Sequence, residues 1–160
     1  LERIKKEKMS FTIDLLGETI ITETEAESYL QIYLDLMQQL VAASKNWANI
    51  PSIDEVDGQE IPKVYVSVKL TAFYSQFDPL DAQGSEEKVS DRIRMLLRRG
   101  QELGTAVHFD MEQYAYKYIT FNILKKLLLE EEFRQRTDIG ITIQAYLRDR
   151  EQDARDIIAW

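Results

Sequence analysis

The 160-residue chain contains no cysteine. Disulfides and thiolate metal sites are therefore excluded, and a reducing cytoplasm is the expected home. Long hydrophobic runs are missing too: the longest apolar stretches are a few residues, too short for a transmembrane segment. Positive charge is scarce relative to negative, with 20 Lys and Arg against 28 Asp and Glu and a formal net charge of −8. A chain of that balance repels phosphates, and no basic stripe offsets it, so nucleic acid is not an expected partner. Glycine is sparse at six residues, and Gly17 and Gly104 stand alone, so no phosphate-cradling fingerprint exists. The start, Leu1 to Lys8, is charged with no apolar segment behind it, unlike a signal peptide. No internal repeat or low-complexity tract interrupts the chain.

What is present suits one core: 44% of the residues are hydrophobic. Residues 1–10 read as a boundary or linker and 11–160 as one unit. Both ends read as cut, because no initiator Met is present and Trp160 falls inside the amphipathic run Ala154 to Trp160. Four strand-then-helix units follow in order. Phe11 to Leu15 reads as a strand. A helix over about Glu23 to Ala43 follows, with Thr22 and Glu25 as a capping box and Ala26, Tyr29, Leu30, Tyr33, Met37, Leu40 and Val41 as its apolar stripe. A connection runs from Ser44 to Pro62. Val64 to Leu70 is the second strand, and an aromatic, turn-rich segment covers Thr71 to Gly84. Ser85 is the expected cap of the next helix, with Glu86 and Glu87 in its first turn, Val89, Ile93, Leu96, Leu97 and Leu103 buried, and Gly104 as its stop. Thr105 to Met111 is the third strand. A helix over about Lys117 to Phe133 buries Phe121, Leu124, Leu128 and Leu129. Ile141 to Ala145 is the fourth strand, and a last helix starts near Asp149.

Strands alternating with helices imply a parallel sheet. Side chains alternate faces along a strand. One face carries Phe11, Ile13 and Leu15, then Val64, Val66, Val68 and Leu70, then Val107, Phe109 and Met111, then Ile141, Ile143 and Ala145. The other carries Thr12 and Asp14, Ser67 and Lys69, His108 and Asp110, then Thr142 and Gln144. A doubly wound sheet is apolar on both faces. One polar face in every strand fits a barrel lumen instead. The expected fold is α/β: the first four β-α units, half of a (β/α)8 TIM barrel, which typically needs about 250 residues. Open strand edges invite pairing, so a homo-oligomer formed through open barrel edges is expected.

Barrel active sites sit at the C-terminal ends of the strands. Those ends carry Asp14 with Glu18, Lys69, Asp110 with Glu112, and Gln144 with Tyr146. A lysine beside carboxylates can stay charged and hold an anionic substrate. A side-chain amide suits the edge of a heteroaromatic ring. A satisfied polar network without catalysis is the plain alternative. His108, one step below Asp110, reads as a hydrogen-bonded interior residue. Asp110 and Glu112 lack a nearby histidine pair, which argues against a metal. The runs Arg92 to Arg99 and Glu130 to Glu132 read as solvated helix faces.

The stretches Phe11-Thr12-Ile13-Asp14-Leu15-Leu16-Gly17-Glu18, Val66-Ser67-Val68-Lys69-Leu70-Thr71-Ala72, Phe109-Asp110-Met111-Glu112 and Ile143-Gln144-Ala145-Tyr146 occur in this order with matching spacing. Together they resemble the barrel domain of the proline dehydrogenase family. Tyr74-Ser75-Gln76-Phe77-Asp78-Pro79 is similar to the long bifunctional bacterial members, which add an aldehyde dehydrogenase. The resemblance implies an FAD enzyme that oxidises L-proline to 1-pyrroline-5-carboxylate and passes electrons to quinone. It implies a cytoplasmic protein, peripheral to the inner membrane. By the same resemblance Lys69 lies over the flavin and holds the substrate carboxylate, Asp110 stands beside it, and Gln144 meets the flavin pyrimidine edge. Thr142 lines the flavin through its backbone, and Met111 stands at a flavin-packing position where many relatives carry alanine. Glu18 belongs to an active-site gate with a substrate-binding arginine. Asp14 shares that motif without an assigned role. The family's arginine pair and most contacts to the FAD phosphates and adenine come from the last part of the barrel. This chain alone is therefore expected neither to hold FAD tightly nor to oxidise proline. The alternatives are a non-catalytic α/β interaction module and a different barrel enzyme assisted by metal at Asp110 and Glu112.

Overall fold

The computed structural model describes residues 1–16 and 19–160. Its elements are α1 (Glu2–Lys6), β1 (Ile13–Asp14), α2 (Glu23–Ser44), α3 (Pro51–Asp54), β2 (Glu55–Val56), β3 (Gln59–Glu60), β4 (Tyr65–Val68), α4 (Ala82–Leu103), β5 (Ala106–Phe109), α5 (Lys117–Leu128), β6 (Ile139–Ile141) and α6 (Arg150–Ala159). Short 3-10 turns occupy Leu70–Phe73, Pro79–Asp81 and Tyr114–Tyr116.

Four strands form one parallel sheet in the order β1-β4-β5-β6. That order follows the chain without the reversal of a doubly wound sheet. Ile13, Val66, Val107 and Ile139 share one rung, and Asp14, Ser67, His108 and Gly140 share the next. Val66, Val68, Val107 and Phe109 are buried, and the core continues through Tyr33, Met37, Phe73, Ile93, Leu96, Leu97 and Ile123 of the flanking segments. Each fully buried aliphatic or aromatic side chain of this kind stabilises the fold by about 1.5–3 kcal/mol.

The helix signals act as read in two places. Thr22 and Glu25 form a reciprocal capping box on α2. Gly104 ends α4 with φ 67° and ψ 41°, a left-handed conformation that glycine adopts without a Cβ penalty.

Several boundaries differ from expectation. β1 is two residues long, not five, because the chain pairs with β4 only at Ile13 and Asp14. α4 starts at Ala82, since Asp81 accepts from the Gly84 amide and takes the capping role expected of Ser85. Ser85 is fully buried and instead bonds both backbone groups of Asp78. α5 ends at Leu128, and Leu129 is 69% exposed rather than core. β6 starts two residues and ends four residues earlier than expected, and Ala145 is exposed; pairing with β5 ends after the Thr142 amide donates to the Phe109 carbonyl. The Ser44 to Pro62 connection holds α3 and a β2–β3 hairpin turned at Asp57 and Gly58, both with positive φ. The two charge runs meet each other: Arg94 binds Glu130 through several bonds and Arg98 binds Glu132. They clasp α4 to the turn after α5 rather than being purely solvated faces.

Candidate active site

The polar row of the sheet converges at the C-terminal ends of β1, β4 and β5. Lys69 follows β4, and its side chain is 14% exposed. Its ammonium pairs with the Asp14 carboxylate and lies 3.5 Å from Asp110. Asp14 and Asp110 keep 31% and 29% of their side-chain surface, so the cluster opens to one mouth rather than being sealed. Asp110 also accepts from the Met111 amide at 2.9 Å. Met111 is buried.

Gln144 reaches the same end of the sheet. Its Nε2 donates to the Glu112 carbonyl at 2.7 Å and lies 3.4 Å from that of Met111. The carboxamide thus staples the chain after β6 to the chain after β5. Glu112 accepts from the Thr71 amide at 3.2 Å and the Thr71 hydroxyl at 2.5 Å.

Thr142 and His108 sit deeper. The His108 Nε2 lies 3.0 Å from the Thr142 hydroxyl. Burial lowers the imidazole pKa below its usual 6.5, against the opposing pull of Asp110, so the ring is neutral at pH 7. A Cβ built on Gly140 would stand 2.5 Å from His108 Nδ1. The ring therefore occupies space that a side chain at position 140 would need. Glu18, expected at the gate, falls outside the described residues.

Two groups here were not singled out as polar from the sequence. Tyr29 and Tyr33 read as members of the α2 apolar stripe. Their hydroxyls nonetheless reach the sheet, with Tyr29 bonding the Leu15 carbonyl and Tyr33 the Ser67 carbonyl at 2.9 and 2.7 Å. The available signal was tyrosine where leucine would fill the core, since a buried phenol needs a polar partner. The second is Lys117, 1% exposed, which pairs with Asp149 and Asp153 near the start of α6 and lies against the Tyr114 and Tyr118 rings. This cluster joins α5 to α6.

A cation between two carboxylates at the ends of parallel strands can meet both charges of a small zwitterion. The family profile described as proline dehydrogenase matches residues 1–160. The chain belongs to the proline dehydrogenase family. The bifunctional protein PutA of Escherichia coli K12 is 25% identical over 144 residues, 90% of this chain and 10% of that protein. The crystal structure of proline utilization A from Bdellovibrio bacteriovorus, inactivated by N-propargylglycine, is 40% identical with a TM-score of 0.94, covering 99% of this chain and 17% of that one. Proline utilization A from Corynebacterium freiburgense is 28% identical with a TM-score of 0.77, covering 99% and 14%. The chain thus spans about a tenth of the length of the curated relatives it matches. As a proline dehydrogenase family member with a parallel sheet, it has an architecture consistent with the TIM-barrel domain of these proteins. Among the described residues, no helix is long and apolar enough to cross a membrane.

Proposed function

We propose that this chain supplies the first four β-α units of a (β/α)8 barrel in an FAD-dependent enzyme that oxidises L-proline to 1-pyrroline-5-carboxylate. The observation that carries the reading is the placement of Lys69 between Asp14 and Asp110 at one mouth of the sheet. The residues present fit a flavin edge: Gln144 offers a carboxamide, and a lysine and an aspartate offer a donor and an acceptor beside it. Bound FAD would supply the electron sink, which no side chain in the set provides.

The protein's part is binding and orientation. Lys69 holds the substrate carboxylate by a charge-assisted hydrogen bond, with Asp14 and Asp110 flanking and aiming its ammonium. The oxidation would transfer a hydride from proline C5 to the bound flavin and release a proton from the ring nitrogen to solvent, which leaves the C=N bond of the product. Asp110, Gln144, the backbone at Thr142 and the packing position at Met111 are the groups of this chain that would hold the cofactor. Lys69 is one side of a carboxylate clamp whose arginine half, by the family resemblance, comes from elsewhere in the barrel. The chain alone therefore holds FAD weakly and does not turn over. Electron delivery to quinone, a cytoplasmic home with peripheral attachment to the inner membrane, and self-association through open barrel edges belong to the same reading.

The test uses the complete protein that carries this chain. The purified protein is expected to show a flavin spectrum that anaerobic L-proline bleaches. A colourless protein that reduces no dye with proline would overturn the proposal.

A further inference from the structure

One buried polar group has no part in the reading above. Tyr33 lies in the middle of α2 and is fully buried. Its hydroxyl donates to the Ser67 carbonyl at 2.7 Å, lies 3.4 Å from Asp14 Oδ1, and accepts from the Leu15 amide at 3.4 Å. Tyr29, one turn earlier, donates to the Leu15 carbonyl at 2.9 Å. Burial, reinforced by Tyr29, raises the Tyr33 phenol far above its ordinary value, so it remains a protonated donor at any working pH. Phenylalanine would fill the same space. The hydroxyl alone touches the strand ends.

We infer that Tyr33 is a positioning residue for the substrate carboxylate, acting through Asp14 on Lys69. The inference rests on the proline dehydrogenase reading and adds a residue to it. Asp14 is held by the Lys69 ammonium on Oδ2, and Tyr33, whose one hydroxyl proton goes to Ser67, holds it from the backbone side by accepting from the amide of Leu15, the next residue. The same phenol oxygen bonds Ser67, two residues before Lys69 on the neighbouring strand. It also bonds Leu15, the residue after Asp14. One atom thus ties together both backbone segments that carry the ion pair. β1 has only two ladder residues, so its end depends on such ties. Without the hydroxyl, Asp14 can swing, and the Lys69 ammonium follows it away from the direction in which a substrate carboxylate must be met.

The experiment places Tyr33→Phe in the complete flavoenzyme. KM for L-proline is expected to rise about three- to tenfold, with kcat changed by less than about twofold. Inhibition by pyrrolidine, which has the ring but no carboxylate, is expected to stay unchanged. Asp14→Asn is expected to give the same carboxylate-selective weakening, and adding Tyr33→Phe to it no further loss. An unchanged KM, or equal weakening toward pyrrolidine, overturns the inference. Should Tyr33→Phe fail to fold, Asp14→Asn with unchanged KM overturns it, and a carboxylate-selective loss supports it. A parent enzyme that does not oxidise proline removes the functional reading and this inference with it. An active parent with an unaffected Tyr33→Phe removes the positioning role alone.

Discussion

Lys69 and Asp110 are neighbours across the β4–β5 ladder, 3.5 Å apart at their charged ends. The register makes them so: Val68 pairs with Phe109, and the Asp110 amide continues the ladder to the Val68 carbonyl. Asp14 pairs one step back, opposite Ser67, and meets Lys69 from the other side. Lys69→Met removes the cation that would meet the substrate carboxylate. In the complete enzyme, kcat/KM for L-proline is expected to fall about 10- to 100-fold, the size of a lost charge-assisted hydrogen bond. Because Asp14 and Asp110 remain nearly a third exposed, the stability loss is expected to be on the order of 1 kcal/mol or less. Steady-state dye reduction and thermal unfolding measure the two. Near-normal kcat/KM would separate Lys69 from substrate binding.

The sheet and its faces were legible because alternation is a local code. Val66 and Val68, then Val107 and Phe109, point into the core, while Ser67, Lys69, His108 and Asp110 share the opposite face. Position along the strand was less legible. The fourth strand was expected to start at Ile141, yet Gly140 lies inside β6, because the His108 ring on the next strand leaves room only for glycine there. That is a tertiary constraint with no local sequence mark. Tyr33 was hidden for a related reason: helical periodicity reports that a residue is buried, not what its hydroxyl meets.

The Gly140 contact has a measurable cost. Gly140→Ala puts a methyl 2.5 Å from His108 Nδ1, while the ring is tethered to Thr142 at 3.0 Å. Either the tether breaks or β6 shifts. The expected destabilisation is about 1–3 kcal/mol, the range for inserting a methyl into a packed site. Shortening the neighbour with His108→Ala is expected to recover most of it in a double-mutant cycle read by urea unfolding. Purely additive losses would show that the two residues do not meet.

His108 also gives the stability a pH dependence of known sign. Its folded pKa lies below the ordinary 6.5, so between those two values the unfolded chain binds the proton more readily. The contribution of neutral His108 is full above pH 6.5 and declines as pH falls through that window. Unfolding free energies of the protein and of a His108→Asn variant, compared across the window, are expected to diverge in this direction. A histidine titrating above 6.5 by NMR would reverse the prediction.

Lys117 offers a test of the polar cluster that joins α5 to α6. Burial alone would lower its ammonium pKa, but hydrogen bonds to Asp149 and Asp153 outweigh that and hold it above the ordinary lysine value. The group is therefore charged, with a side chain 1% exposed, while Asp153 is 9% exposed. Lys117→Met keeps the apolar stem and the contacts with Tyr114 and Tyr118 but strands the Asp153 carboxylate without its cation. Breaking a buried pair on one side costs about 3 kcal/mol, far more than the pair is worth against an apolar replacement. Lys117→Met is accordingly expected to lower the unfolding free energy by about that amount, and Lys117→Met with Asp153→Leu to lose clearly less. Chemical denaturation of the three proteins decides it. A double variant as unstable as the single one would mean that α6 is held by the charges themselves rather than by the shape they fill.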